Sequence, residues 1–191
     1  MRYRDRTSNA TTAAAAVPAM LDPEGTWYEA IRRGAEANLH TYPEDVAFLT
    51  MLAIRASSYN DPELIEASRL RHVEAVASYA ELYEAVLHWS GRRMRAGYTL
   101  ADMSAALAAM SEGFGLQHAA GVPYARLPLD ATGDGPGDRD WSLLAVCAVA
   151  VCEKLTERDP AAAPFDATSV ARWVAASAGD GGQEVARVGE R

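Results

Sequence analysis

The stretch YTLADMSAALAAMSEGFGLQHAAG, residues 98–121, decides the fold class of this 191-residue chain. Bulky residues recur in it at steps of three and four, which places them on one stripe of an α-helix: Leu100, Met103, Leu107, Met110 and Phe114. A second stripe of mostly small residues runs beside it: Ala106, Ala109, Gly113, Leu116 and Ala120. The segment therefore predicts a helix that packs within its own subunit on one face and against a second subunit on the other.

The composition extends this prediction to the whole chain. Alanine dominates, and the alternation of β-branched and polar residues that is typical of strands is scarce. We expect an all-α protein, a single helical domain of about five to seven helices at residues 22–177. Residues 1–21 are rich in Ser, Thr and Ala without an apolar period, which predicts a mobile N-terminal arm. We expect residues 178–191 to be a disordered tail.

Cap and turn residues predict where the helices of this domain begin and end. Pro23, Pro43, Pro62 and Thr99 mark four helix starts. The second helix is apolar nearly all round, so we expect it to be central. A loop rich in Gly, Pro and Asp should follow Gly121 without regular structure. The predicted helices span residues 22–40, 41–57, 60–90, 99–121, 140–158 and 166–176.

Charge, cysteine usage and hydropathy restrict the class of protein. The formal net charge is −8, which makes the chain as a whole a poor partner for a polyanion, although a local basic patch could still bind one. Cys147 and Cys152 point away from each other on a helix and match no zinc or redox spacing, which indicates buried free thiols. No apolar run is long enough for a membrane span or a signal peptide. We expect a soluble, cytoplasmic protein that does not contact a membrane.

Motifs for enzymatic chemistry are absent from the sequence. The four histidines form no pair with metal-site spacing, and no nucleophile elbow, P-loop or dinucleotide fingerprint occurs. We therefore expect no enzyme activity, no cofactor and no metal. A small helical enzyme without a recognisable motif is the third and least favoured alternative.

Three features together resemble a known family. A long helix starts at Asn60-Asp61-Pro62-Glu63, a turn leads to Thr99-Leu100-Ala101-Asp102, and a helix then carries Met110-Ser111-Glu112-Gly113-Phe114. This order resembles the C-terminal ligand-binding and dimerisation domain of TetR-type transcriptional regulators, over residues 43–155. The resemblance implies a bundle of that type, a small apolar ligand and a homodimer formed by two helices of each subunit.

The N-terminal part departs from that family. TetR-type regulators carry an N-terminal three-helix unit that reads DNA, and residues 1–42 do not resemble it. A helix-turn-helix needs a packed core of three helices to aim its recognition helix. We therefore do not expect this chain to bind DNA alone.

The predicted ligand site lies between the central helices. Apolar side chains with a few polar anchors are typical of small-molecule pockets. The predicted lining is Phe48, Met51, Leu52, Val76, Tyr79, Tyr83, Met103, Leu107, Met110, Phe114 and His118. The alternative is that these side chains form an ordinary filled core.

The predicted dimer interface uses small residues on two helices. Small side chains allow close approach of helices across a two-fold axis. The predicted interface is Ala106, Ala109, Gly113, Ala145, Ala148 and Cys152. The alternative is that they face helices of the same chain. A second function is also open, a ligand-free helical interaction module that pairs with itself or with a full-length regulator.

Overall fold

The computed structural model describes residues 2–22, 24–42, 45–57, 60–130, 132 and 135–162. This part of the chain contains six helices and four short strands. The helices are α1 (Arg2–Leu21), α2 (Trp27–Thr41), α3 (Val46–Ser57), α4 (Pro62–Trp89), α5 (Leu100–Ala119) and α6 (Leu143–Leu155). The strands form two antiparallel pairs, β1 (Arg92–Met94) with β4 (Thr156–Arg158) and β2 (Arg126–Leu129) with β3 (Arg139–Ser142). The prediction of a single all-α domain with five to seven helices is confirmed.

The two longest predicted helices begin where their caps predict. The Thr99 hydroxyl accepts a hydrogen bond from the Asp102 amide, and the Asp102 carboxylate accepts one from the Thr99 amide, which makes a capping box for α5. Asp61 caps α4 by accepting from the amides of Glu63 and Leu64. The other caps differ from the predicted ones, since Thr26 caps α2 and Asp45 accepts from the amide of Phe48 at the start of α3.

The N-terminal segment forms a helix, so the expectation of a mobile arm is wrong. Alanine has the highest helix propensity, and the run in this segment brings Ala13, Ala16, Ala19 and Met20 onto one side of α1. These four side chains are buried, and α1 packs along α2. The low hydrophobicity of alanine concealed this packed face in the sequence.

The core is built around α2 rather than around α3. Helix α2 packs against α1, α5 and α6, and the main cluster joins Trp27 of α2 to Leu87, Met103 and Ala148 of the next helices. The expectation that α3 is central is wrong, because Phe48 is buried while Val46 and Ile54 are largely exposed. An apolar helix is therefore found here at the periphery of the bundle.

The segment between α5 and α6 contains the β2–β3 hairpin, which corrects the prediction of an irregular loop. Arg126 of β2 pairs with Asp140 of β3 at 2.9 Å and with Glu36 of α2 at 3.3 Å. The Ser142 amide donates to the same Glu36 carboxylate. Charged side chains thus hold the hairpin against α2, and Trp141 of β3 is completely buried. Consequently α6 begins at Leu143, three residues later than predicted.

Two further predictions concern the C-terminal part of the chain. The predicted short helix at residues 166–176 and the predicted tail at residues 178–191 lie outside the described residues. None of the helices that are described is long and apolar enough to cross a bilayer.

Candidate functional site

A cavity of about 120 Å³ lies between the helices, and side chains from all six of the described helices line it. Helices α4 and α5 are consecutive and antiparallel neighbours joined by the short β1 segment, and they contribute facing walls. The C-terminal end of α2 also lies close to α5. The Tyr42 ring lies directly on Gly115 of α5, where a Cβ would have no room. This close approach places the C-terminal end of α2 against the C-terminal half of α5.

One end of the cavity is apolar. Trp27, Leu87, Met103 and Cys152 line it and also belong to the main core cluster. The Arg92 guanidinium lies 4.1 Å from the centre of the Trp27 ring. Burial raises the pKa of the Cys152 thiol to about 12, so the thiol is neutral at physiological pH and acts as a small apolar side chain. The described residues that line this end offer apolar contact and carry no ionised side chain.

Two tyrosines of α4 form the middle of the cavity. The rings of Tyr79 and Tyr83 stack with their centres 6.0 Å apart. The Asn38 amide nitrogen donates to the Tyr79 hydroxyl at 3.4 Å. Burial raises the pKa of Tyr83 well above its usual value, which keeps the phenol protonated. The middle of the cavity therefore presents neutral hydrogen-bonding groups between apolar walls.

The opposite end carries charged and titratable side chains, and we call Arg55, Arg71, His72 and Glu112 the charged end of the cavity. Arg55 Nη1 donates to Glu112 Oε2 at 3.3 Å, which links α3 to α5. Both side chains are about a quarter exposed. Arg55 Nε is buried and has no hydrogen-bond acceptor among the described residues. The cavity thus changes from apolar to charged along its length.

The structure brings together most of the residues that the sequence predicts to line a pocket. Seven of them line the cavity, namely Phe48, Met51, Tyr79, Tyr83, Met103, Leu107 and Met110. Four do not line it, namely Leu52, Val76, Phe114 and His118. The ring of Phe114 instead packs on that of Tyr124, with the ring centres 5.0 Å apart. The ring of His118 meets that of His40 edge to face, with the centres 5.7 Å apart. Because α5 reaches beyond the cavity, its last two turns contact other side chains.

Sequence reasoning missed the charged end and the wall formed by α2 and α6. Arg55 was a detectable signal, since it is the one charged residue in the mostly apolar α3 segment. The partnership of Arg55 with Glu112 joins positions 57 residues apart, and no local pattern predicts such a pair.

The predicted dimer residues divide into two groups. Ala106, Ala109 and Gly113 are exposed on α5, and a Cβ at Gly113 would meet open space. Ala145, Ala148 and Cys152 of α6 are buried, at 0 to 6% exposure. For α6 the interface prediction is wrong, because α2 and α5 of the same chain already cover these side chains. For α5 it stays a prediction.

Metal ligands and known relatives provide no further guide to the site. In the described ranges, no three His, Cys, Asp or Glu side chains are placed to hold a metal ion. No protein-family model, curated protein or solved structure matches this chain.

Proposed function

We propose that this chain binds a small apolar molecule in the cavity and is the effector domain of a TetR-like, cytoplasmic regulator. The carrying observation is the cavity, with an apolar end, two tyrosines in the middle and a charged end. Well-packed cores hold few voids larger than a water molecule. An apolar cavity of about 150 Å³ stays dry and binds benzene, so a volume of about 120 Å³ suits a body of similar size.

The proposed mechanism is a shift in how α4 and α5 pack. Both helices line the cavity, and α3 covers α4 only sparsely. A ligand that binds one arrangement of these helices better than another changes the population of the two. In a regulator that pairs through the outer face of α5, this shift would change the distance between two DNA readers.

A probe that needs only an apolar cavity tests the ligand-binding part of this proposal. We expect benzene at ten times its dissociation constant to raise the melting temperature by about 3–6 °C. Ala148→Leu places three more carbons against the cavity and should abolish the shift. Ala150→Leu makes the same change at an exposed position of α6 and should keep it. The absence of any shift in the wild-type protein, or a full shift in the filled variant, would refute ligand binding in this cavity.

A ligand-free interaction module is the second candidate, and exposed apolar side chains favour it. Leu64, Ile65, Leu70 and Val73 on the first half of α4 are between 37 and 54% exposed. A large exposed apolar surface can mark a contact between proteins. In this alternative a second copy or a full-length regulator covers the surface and the cavity stays empty.

The oligomeric state separates the two faces that could pair. If the outer face of α5 forms the homodimer, sedimentation velocity of the wild-type protein should show a dimer and Ala109→Glu should give monomers. Ala101→Glu, which adds the same charge to an exposed site in the first turn of α5, is the control. A wild-type monomer at micromolar concentration would contradict homodimerisation by either face.

A further inference from the structure

The charges that line the cavity are concentrated at one end. Glu112 is nine residues beyond Met103 on α5, about 13 Å at 1.5 Å per residue. Arg55 reaches the same place from α3 through its contact with Glu112, and Arg71 lines the cavity from α4. A ligand in the cavity would therefore have one apolar end and one end beside two guanidinium groups and one carboxylate.

The guanidinium of Arg55 has an edge that is not satisfied. A guanidinium carries five N–H donors in a planar fork. Glu112 accepts from Nη1, whereas Nε is buried without an acceptor in the described part of the chain. A buried donor without an acceptor is unfavourable, and a ligand oxygen at this place would satisfy it. The group that best matches the edge of a guanidinium is a carboxylate.

The remaining groups favour an acid over an amine. A ligand ammonium at this end would meet the positive charge of Arg55, and the Glu112 carboxylate already pairs with Arg55. A ligand carboxylate would instead share Arg55 with Glu112.

We propose that the ligand is a small apolar carboxylic acid, with its carboxylate at Arg55 and a body of about one ring directed toward Leu87 and Met103. This inference rests on the proposed function and adds the chemical class of the ligand. The size of the body follows from the cavity volume of about 120 Å³. The stacked rings of Tyr79 and Tyr83 offer an aromatic surface on the path between the two ends.

Three ligands of one shape test the proposal by calorimetry: phenylacetate, 2-phenylethanol and 2-phenylethylamine. We expect phenylacetate to bind about 10-fold or more tightly than the alcohol, since hydrogen bonds to charged groups contribute that much. The amine should bind more weakly than the alcohol. Arg55→Gln should bring the affinities for the acid and the alcohol to within about 3-fold of each other. Arg69→Gln, at an exposed arginine that pairs with Glu66 on α4, should leave all three unchanged.

Glu112→Gln provides a second variant, and its expected effect on the affinity for phenylacetate is opposite to that of Arg55→Gln. It removes a negative charge beside the ligand and releases Nη1 of Arg55, so it should strengthen phenylacetate binding by about 3- to 10-fold. A residue that only supports the fold would weaken binding of all three compounds when changed. This variant decides the question even if Arg55→Gln does not fold.

The outcomes distinguish failure of the ligand class from failure of the proposed function. If benzene binds but the alcohol binds as tightly as the acid, the ligand is not an acid and ligand binding stands. If benzene binds but phenylacetate does not, the acid is likewise refuted. If neither benzene nor any of the three compounds binds, both proposals are wrong.

Discussion

The two halves of this molecule differ in how completely their apolar side chains are covered. Around α2 and α6, Trp141, Leu144 and Ala145 have 1% exposure or less. In α3 and the first half of α4, Leu70 and Val73 are about half exposed and Val46 is 71% exposed. The same kind of residue is thus buried in one half and exposed in the other. We call the part around α2 and α6 the sealed half, and α3 with the first half of α4 the open half.

Helix length explains this difference. Helix α4 has 28 residues and α2 has 15, which gives lengths of about 42 Å and about 22 Å. The longer helix extends past the core that α2 organises, and the first half of α4 leaves Leu64, Ile65, Leu70 and Val73 exposed. The cavity lies where the covered part meets the extension, which places its apolar end in the sealed half and its charged end in the open half.

The largest expected effect lies in the sealed half, at Trp141. Its ring is fully buried with Ala145 and Val149 against side chains of α2 and the β2–β3 hairpin. We expect Trp141→Ala to lower the free energy of unfolding by about 3–5 kcal/mol, the usual loss for a large buried aromatic residue. Urea denaturation measures this change. A loss smaller than about 1 kcal/mol would mean that the hairpin does not seal α2 in solution.

The next effect lies at Glu29, a buried carboxylate between three arginines. Arg32 and Arg33 contact it from the same helix and Arg139 reaches it from β3 at 2.9 Å. The hydrogen bond from Arg32 is the main cause that lowers the pKa of Glu29 to about 2. Because the folded-state pKa is lowered, the stabilisation is full above the unfolded pKa of about 4.5 and is lost as the pH falls toward 2. At neutral pH this contribution is about 2–3 kcal/mol.

Glu29→Gln should therefore reduce stability by most of that amount at pH 7 and by progressively less below pH of about 4.5. Urea denaturation of the variant and the wild-type protein between pH 2 and 7 measures the difference. Glu66→Gln, which removes an exposed partner of Arg69, should cause little change at any pH. A difference between Glu29→Gln and the wild-type protein that does not vary with pH would contradict the ionised state of Glu29.

Local signals were sufficient for part of the fold. The aspartate before Pro62 and the capping box at Thr99 and Asp102 predicted where α4 and α5 begin, because a cap depends on residues within one turn. The N-terminal helix and the β2–β3 hairpin were missed for a common reason. Their stability comes from burial of Ala16 and Trp141 against α2, which is distant in sequence.

The site was predictable to the extent that it follows helix periodicity. Met103, Leu107 and Met110 share one face of α5, and that face does line the cavity. Periodicity states which side of a helix is apolar and not how far along the helix a partner extends. For that reason it also assigned Phe114 and His118 to the lining, which neither of them reaches.

The smallest expected effect lies in the open half, at Leu70. Leu70→Gln should change the free energy of unfolding by no more than about 0.5 kcal/mol, because the side chain is half exposed and the two residues have similar helix propensities. The same exchange at Leu144, which is 1% exposed on α6, should cost several times as much because it buries an amide. Urea denaturation at two protein concentrations measures both variants. If a second copy covers the open half, Leu70→Gln will instead be strongly destabilising and the wild-type midpoint will rise with concentration. The open half is then an interface, and the contrast between the two halves belongs to the single chain alone.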